Sequence, residues 1–527
     1  MNASNDVGKA RDAAQEAGER VLTARRDFLK LFGYGTAALA LGGMGMGADG
    51  RPRLLPEASA HDNDRHGRRS PYEKEFDFAK RLLYMNIGTT GASPTQVVKH
   101  LDQDYEEIAA NPTAYFFGQQ EMRNAIAPGF GCDPYELVLS FNTTDGLWRI
   151  VMGIPFQAGD EIITTNMEED AGISAVNILK DRFGVVVRTV ALPTNDAYSD
   201  AEVMARFQAQ LSANTKAILF SSPIYLTGAR LPAKELCLWA AANNVISIVD
   251  GAHLPGMCAT DLHDMGCDFF SGAGHKWQCG PGQTGFLYIR NGFDPSPALL
   301  SRPTSDYAPF GVPSPMVEIP VPGYSNTNPL PTYYPTNTLI YGAAGILANG
   351  VRNPNHNIAA ILQLIGNGSR PTQKALTECC RMWDDWGRAE IEDYVVSLAQ
   401  YLRSRIVDIW GFDSLSVPYT ASPAPVARTG LTSFNPFSPG ADYNAALSAA
   451  ESAAQRNASA AAVATLKTDY QIVIRNNSVP HALRGSPTQN AAPGTFSSPL
   501  RISTHLFHDT ADVDRLIEAL LEAVPHP

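Results

Sequence analysis

Between residues 136 and 289 short apolar runs alternate with segments of helix length. The runs are Glu136-Leu-Val-Leu-Ser-Phe141, Glu161-Ile-Ile-Thr-Thr165, Val185 to Val190, Ala217 to Ser221, Ile246 to Asp250, Cys267 to Phe270 and Gly285 to Ile289. A strand that is apolar on both faces needs cover on both, and a helix between successive strands supplies it while returning the chain in the same direction. The pattern predicts an α/β fold built on a mostly parallel seven-stranded sheet. Function should then sit on the loops that follow the carboxyl ends of the strands.

Before this region, Leu82 to Asn86 reads as a short strand, and Thr95 to Ile126 is helical, broken at Asn111-Pro112. After Gly350 the pattern changes: Asn355 to Ile365 and Pro371 to Ile406 read as helices, Asp442 to Leu466 as an Ala-rich helix or helix pair, and Tyr470 to Arg475 as a strand. Polar, proline-containing text from Asn476 to Pro499 reads as a loop. Thr510 to Val524 reads as an amphipathic helix with Leu516, Leu520 and Leu521 towards a core. At 527 residues the chain exceeds what one small core organises. The expected division is a leader and linker over 1–60, an arm and first helix over 61–110, a large α/β domain over 111–345 and a smaller α+β domain over 346–527.

The leader is expected from Arg25-Arg26 followed by Phe28, Leu29 and Lys30, then a Gly-rich apolar run from Leu31 to Gly47. This matches a twin-arginine signal, with a cleavage step near Ala58-Ser59-Ala60, and implies the twin-arginine export machinery as a partner and a periplasmic or secreted location. The run is too short and too rich in glycine for a stable membrane helix. A net charge of -12 with no basic stripe argues against nucleic acid and favours a small polar ligand. The seven cysteines, Cys132, Cys237, Cys258, Cys267, Cys279, Cys379 and Cys380, lack zinc-ligand spacing and read as buried thiols, the last two as packing neighbours on a helix. No metal site is expected.

The chemistry-bearing residues follow predicted strands. Lys276 stands in Ser271-Gly-Ala-Gly-His-Lys276-Trp-Gln-Cys-Gly-Pro-Gly282, a glycine frame unusual for a surface lysine. A lysine that holds an aldehyde must be deprotonated part of the time, which burial and neighbouring cations favour. Asp250-Gly-Ala-His253 leaves the end of the Val245 to Val249 run. Asp250 suits the ring nitrogen of pyridoxal 5'-phosphate, whose protonation makes the ring an electron sink, and His253 suits its phenolic oxygen. A simple loop cap would use the same aspartate. Asn142-Thr-Thr-Asp-Gly146 joins a strand to a helix, so its backbone N–H groups and the Thr143 and Thr144 hydroxyls could cradle a phosphate, although an ordinary helix cap would read alike. His275 could bind phosphate or orient Lys276. Arg501, in Leu500-Arg-Ile-Ser-Thr-His505, offers a fork for a substrate carboxylate.

The Asp250-x-x-His253 pair, the His-Lys run at 275 and 276, the Thr-Thr-x-Gly turn at 143 to 146 and Arg501-x-Ser503 resemble the class V aminotransferase-fold enzymes. Tyr225-Leu-Thr-Gly228 and the Arg501 tail are similar to the isopenicillin-N epimerase-like subgroup. The resemblance runs from about residue 82 to 525 and weakens between 300 and 500. It implies the fold type I architecture, with Lys276 as the cofactor-bearing lysine, Asp250 as the ring-nitrogen partner and His253 as the phenolic-oxygen contact. It further implies that Thr143, Thr144 and His275 hold phosphate and that Arg501 binds the carboxylate of an amino-acid substrate. A homodimer is implied too, with Thr336 or a neighbour in Tyr333 to Thr338 reaching a partner's phosphate.

Two departures stand out. Asn166-Met-Glu-Glu-Asp-Ala-Gly172 has no aromatic where relatives place a ring-covering histidine, leaving Met167, Glu169 or Asp170 for that face, and Ala273 replaces a common phosphate-binding serine. No cysteine follows Cys380, which argues against persulfide chemistry. Chemistry at Cα of an amino acid is expected, with epimerisation, transamination and elimination as the open alternatives and a cofactor-scaffold binding protein as a distant fourth.

Overall fold

Seven strands form the central sheet: β2 (Leu137–Ser140), β3 (Glu161–Thr165), β4 (Val186–Val190), β5 (Thr215–Ser221), β6 (Ile246–Gly251), β7 (Phe269–Ala273) and β8 (Gly285–Ile289), in the order β2-β8-β7-β6-β5-β3-β4. All neighbours pair parallel except β8, which runs antiparallel to both β7 and β2. The mostly parallel seven-stranded sheet expected from the alternating runs is therefore present. Helices α1 (Thr95–Ala110) and α2 (Gln119–Ile126) precede the sheet, and α3 (Thr143–Gly153), α4 (Asp170–Phe183), α5 (Asp200–Gln208) and α6 (Ala233–Ala242) follow strands in turn. Two apolar clusters result. Ile163, Ile218, Val249 and Phe270 point to one and Ile162, Leu219, Ile248 and Phe269 to the other, the alternation a strand buried on both faces requires.

The structure is a computed structural model that describes residues 45–46, 52–53, 70–113, 118–194, 198–290, 347–348, 351–352, 362–363, 368–420, 424–437, 447–480 and 496–526. The chain divides into Met1–Asn63 and Asp64–Pro527, and the functional residues lie in the second. In the first, Gly45–Met46 pairs with Pro52–Arg53. Arg25, Arg26, the step at Ala58 to Ala60, the segment from Tyr333 to Thr338 with Thr336, and most of the helix expected at Asn355 to Ile365 lie outside the described residues. No helix among the described residues is long and apolar enough to cross a membrane. All seven cysteines are free and buried, with Cys379 and Cys380 adjacent on one helix.

A second layer carries a three-stranded sheet of β9 (Leu431–Phe434), β12 (Leu500–Ser503) and β11 (Arg475–Asn476), with β12 central and antiparallel to both neighbours. The single strand expected over Tyr470 to Arg475 is two. β10 (Ile472–Val473) pairs parallel with β1 (Leu83–Tyr84), while β11 pairs with β12. The single helix expected from Pro371 to Ile406 is also two, α7 (Arg370–Trp386) and α8 (Arg388–Trp410). They break at Gly387, whose φ of +84° is a left-handed conformation that glycine takes without strain.

Helix α9 (Ala449–Asp469) starts at a Ser448/Glu451 capping box and α10 (Thr510–Ala523) at an Asp509/Asp512 box. Leu516 and Leu520 of α10 are fully buried with Leu402, Ile406 and Leu466. The core side predicted for that helix is correct for these two leucines, and Leu521 packs at its margin.

Register aligns the site. Ser221 of β5, Asp250 of β6 and Ser271 of β7 are successive partners across the sheet, in a row at its carboxyl edge. Helix α3 lies close over this edge because Gly146 carries no side chain: a Cβ there would stand 2.1 Å from Ser271 Oγ. That hydroxyl is held by the carbonyls of Thr143 and Phe286 at 3.0 and 3.3 Å. Gly146→Ala should destabilise the fold by about 1–3 kcal/mol, the cost of overpacking a filled interior, read by chemical denaturation. Adding Ser271→Ala should recover part of that loss, and a double variant no more stable than Gly146→Ala would refute the steric account.

Candidate active site

Lys276 is placed by a tight return between β7 and β8. Gly274 N–H donates to Thr284 O at 2.9 Å and Gly280 N–H to Gly274 O at 2.8 Å, which folds Gly274 to Gly282 back on itself and leaves the lysine at the tip. A second clamp comes from the turn after β1: Gly91 N–H donates to His275 O at 2.7 Å, and a Cβ on Gly91 would lie 2.0 Å from Lys276 O. His505 Nε2–H donates to Trp277 O at 2.8 Å. Burial, helped by the Arg501 and Arg475 charges and opposed by Asp250, lowers the Lys276 ammonium from its ordinary range to about 8.

His253 is buried, and its Nε2 lies 3.5 Å from Lys276 Nζ. Trp277 Nε1–H donates to His253 Nδ1 at 3.0 Å. An indole nitrogen can only donate, so Nδ1 must accept and the proton of the neutral ring sits on Nε2. The ring stays neutral because burial, then the Lys276, Arg501 and Arg475 charges, hold its pKa well below the usual histidine range. His253 therefore presents a donor to the site, and Lys276 can accept it only as the free amine.

Two carboxyls share the centre of the edge. Asp250 is buried, accepts from Ala252 N–H at 3.0 Å through Oδ1, and is pushed up to about 6 by burial. Its Oδ2 faces Gly172 of α4, where a Cβ would come within 2.8 Å, so the glycine leaves space against that oxygen. Glu168, in the loop after β3, accepts from Thr165 Oγ1 and Ser221 Oγ at 2.5 Å each. Burial, with the Asp250 charge adding to it, raises Glu168 to about 7. Burial thus brings both acids towards neutral pH, and a cationic group against Asp250 would favour its ionised form.

At β2 the chain enters α3 with Asn142 as cap, its Oδ1 accepting from Asp145 N–H at 2.8 Å. Thr143 Oγ1 is buried without a hydrogen-bond partner, beside the free N–H groups of the first turn. A helix start with an orphan hydroxyl suits an anion such as phosphate. His275 Nδ1 faces Thr284 O at 3.2 Å, so Nδ1–H donates and Nε2 is an acceptor while the ring is neutral. Burial, then Lys276, lowers its pKa, so His275 can donate to an anion only where that anion restores its proton.

Arg501 is fully buried at the far side, donating to Tyr225 O at 3.2 Å, Asn86 Oδ1 at 3.1 Å and Thr89 Oγ1 at 3.0 Å. The loop after β3 distributes its residues unevenly. Met167 belongs to the apolar core, Glu169 caps α4 by accepting from Ala171 and Gly172 N–H at 2.7 and 3.2 Å, and Asp170 begins the helix. Of the three candidates for the open cofactor face, the methionine is thus committed to packing.

The structure gathers Lys276, Asp250 and His253 at one edge with Arg501, whose charge is felt at both Lys276 and His253. Sequence reasoning missed Glu168, Trp277, Arg475 and the Asn86–Thr89 turn. Trp277 carried a signal, an indole donor next to the key lysine. Glu168 had only its place in an acidic run.

The residues present fit pyridoxal 5'-phosphate: a lysine whose ammonium is lowered to about 8, a buried aspartate with space beside it, and a helix start with an unpartnered hydroxyl. The fold is the fold type I architecture, and the residues gathered at its sheet edge are of the kinds that pyridoxal 5'-phosphate requires. Residues 83–298 match the Aminotransferase class-V family. It is 31% identical over 217 residues to isopenicillin N epimerase of Streptomyces clavuligerus, covering 40% of this chain and 54% of that protein. A probable cysteine desulfurase 2 of Mycobacterium leprae (strain TN) is 28% identical over 229 residues, covering 40% of this chain and 52% of that protein. The chain spans about half the length of the curated relatives it matches.

Among solved structures, the complex of the cystine C-S lyase C-DES with its product cysteine persulfide aligns at a TM-score of 0.58 and 20% identity, covering 85% of this chain and 99% of that one. An apo cysteine desulfurase from Thermococcus onnurineus NA1 aligns at 0.58 and 19%, covering 87% and 99%.

Two outcomes follow. Borohydride trapping of pyridoxal phosphate on the apo chain, mapped by peptide mass spectrometry, should label Lys276, with a yield that rises as pH increases through about 8. A midpoint near 10 or label on another lysine would contradict the lowered amine pKa. In 15N-histidine NMR, with His253→Gln for assignment, the wild type should show His253 as the Nε2–H tautomer and Trp277→Phe a mixture. Identical spectra would remove Trp277 from that role.

Proposed function

We propose that this chain acts at Cα of an amino acid or an amino-acid-derived metabolite, in the manner of an isopenicillin-N epimerase. The observation that carries the proposal is the half-buried Lys276 amine, titrating near 8 beside the Nε2–H of His253. When bound, pyridoxal 5'-phosphate supplies an aldehyde for amines and a ring that takes up negative charge from Cα. The chain's own groups do the rest. Lys276, as the free amine, would take the Cα proton of a bound substrate, since an amine whose ammonium is lowered to about 8 is a competent base. Asp250, held inside the sheet edge, would keep a proton on the ring nitrogen, and His253 would offer its Nε2–H to the phenolic oxygen. Thr143, Thr144 and the first turn of α3 would hold the phosphate, with His275 joining when protonated, and Arg501 would hold the substrate carboxylate.

Epimerisation also requires a proton from a second acid. We assign it to Glu169, whose charge is felt at Asp250, Lys276 and Tyr225. The isopenicillin N epimerase relatives support this reading, and the last cysteine at position 380 supports separation from the persulfide-forming desulfurases.

Mass spectrometry of products from L- and D-amino acids in heavy water tests it. Deuterium at Cα with connectivity unchanged is the expected result, abolished in Lys276→Ala. A keto acid with amino-group transfer would replace it by transamination, and a fragment lost from Cβ would replace it by lyase chemistry. No turnover by the cofactor-loaded wild type would leave a binding protein.

A further inference from the structure

Arg501 does not stand alone. Across β11 and β12 its register partner is Arg475, so the two side chains leave the same face of the sheet side by side. Like charges directly opposite on one face oppose folding. The two guanidinium groups nevertheless converge on one hydroxyl: Thr89 Oγ1 receives N–H from Arg501 at 3.0 Å and from Arg475 at 3.4 Å.

Every other hydrogen-bond acceptor of Arg501 is neutral, the Tyr225 carbonyl and the Asn86 amide oxygen. The Nε–H of each arginine is buried and unpartnered. Several other arginines among the described residues meet a carboxylate or a ring of carbonyls, and the Arg403 Nε–H is unpartnered as well. Arg149 pairs with Asp145, Arg290 with Asp268 and Arg230 with Glu392, while Arg403 is surrounded by the carbonyls of Ala427, Thr429 and Leu431. Both charges of the pair reach Lys276 and His253, so the excess lies at the reacting end of the site.

A single α-carboxylate occupies one guanidinium fork and cancels one charge. A second fork and a second charge remain. We propose that Arg475 binds a second anionic group on the substrate side chain, making the substrate class an amino acid that carries two acids, with Arg501 taking the α-carboxylate. This rests on the Lys276 reading above and narrows it. Arg475 acts by binding and orientation and takes no part in proton transfer.

The test titrates the holoenzyme with matched pairs that differ in one charge, aspartate against asparagine and glutamate against glutamine, then with longer dicarboxylic homologues. Binding is read from the change in cofactor absorbance before turnover, in wild type, Arg475→Gln and Arg501→Gln. In the wild type at least one acid should bind about 10- to 100-fold more tightly than its amide, the span of one charged hydrogen-bonded contact. Arg475→Gln should erase that preference, bringing acid and amide to within about twofold of each other, and Arg501→Gln should weaken acid and amide alike.

No acid preference at any chain length, or one that survives Arg475→Gln, overturns the proposal. So does loss of cofactor loading in Arg475→Gln, which would assign the arginine to the cofactor instead. If the cofactor is bound at Lys276 and no amino acid changes its spectrum, the amino-acid reading itself falls, an outcome separate from the others.

Discussion

Removal of water from a few charged groups at the carboxyl edge of one sheet governs the behaviour of this protein. Burial lowers Lys276 to about 8 and raises Asp250 to about 6 and Glu168 to about 7. In water these groups would all be charged at neutral pH and would hold their protons firmly or not at all. Drawn inside, they lie within about a unit of neutrality, where a proton moves at little cost. The surrounding hydrogen bonds decide which atom carries it. Trp277 fixes the His253 proton on Nε2, and the Thr165 and Ser221 hydroxyls support the Glu168 carboxylate.

The sheet was legible in the sequence because its strands are buried on both faces and their apolar runs are unbroken. Both Glu161–Thr165 and Gly285–Ile289 end where the residue pattern ends. Lys276 and Asp250 were legible because each follows such a run, and glycines or a strand end leave few other reasons for their position.

What was not legible depends on contacts between distant parts of the chain. Arg475 belongs to a two-residue strand whose meaning appears only when β11 lies against β12, and no local pattern announces that pairing. The Gly387 break between α7 and α8 was hidden by helix-forming residues on both sides. Glu168 sits between two candidates that were weighed, and only the positions of Thr165 and Ser221 show that it points inward.

The turn after β1 holds the two halves of the site together. Its Asn86 and Thr89 side chains grip Arg501, and its Gly91 N–H grips the backbone beside Lys276. One stretch of six residues, Asn86 to Gly91, thereby ties the position of Arg501 to that of the Lys276 backbone. The guanidinium and the amine are mechanically linked through it: lengthening or reshaping this turn would displace both together, so room for a larger molecule would have to come from the walls around the turn instead.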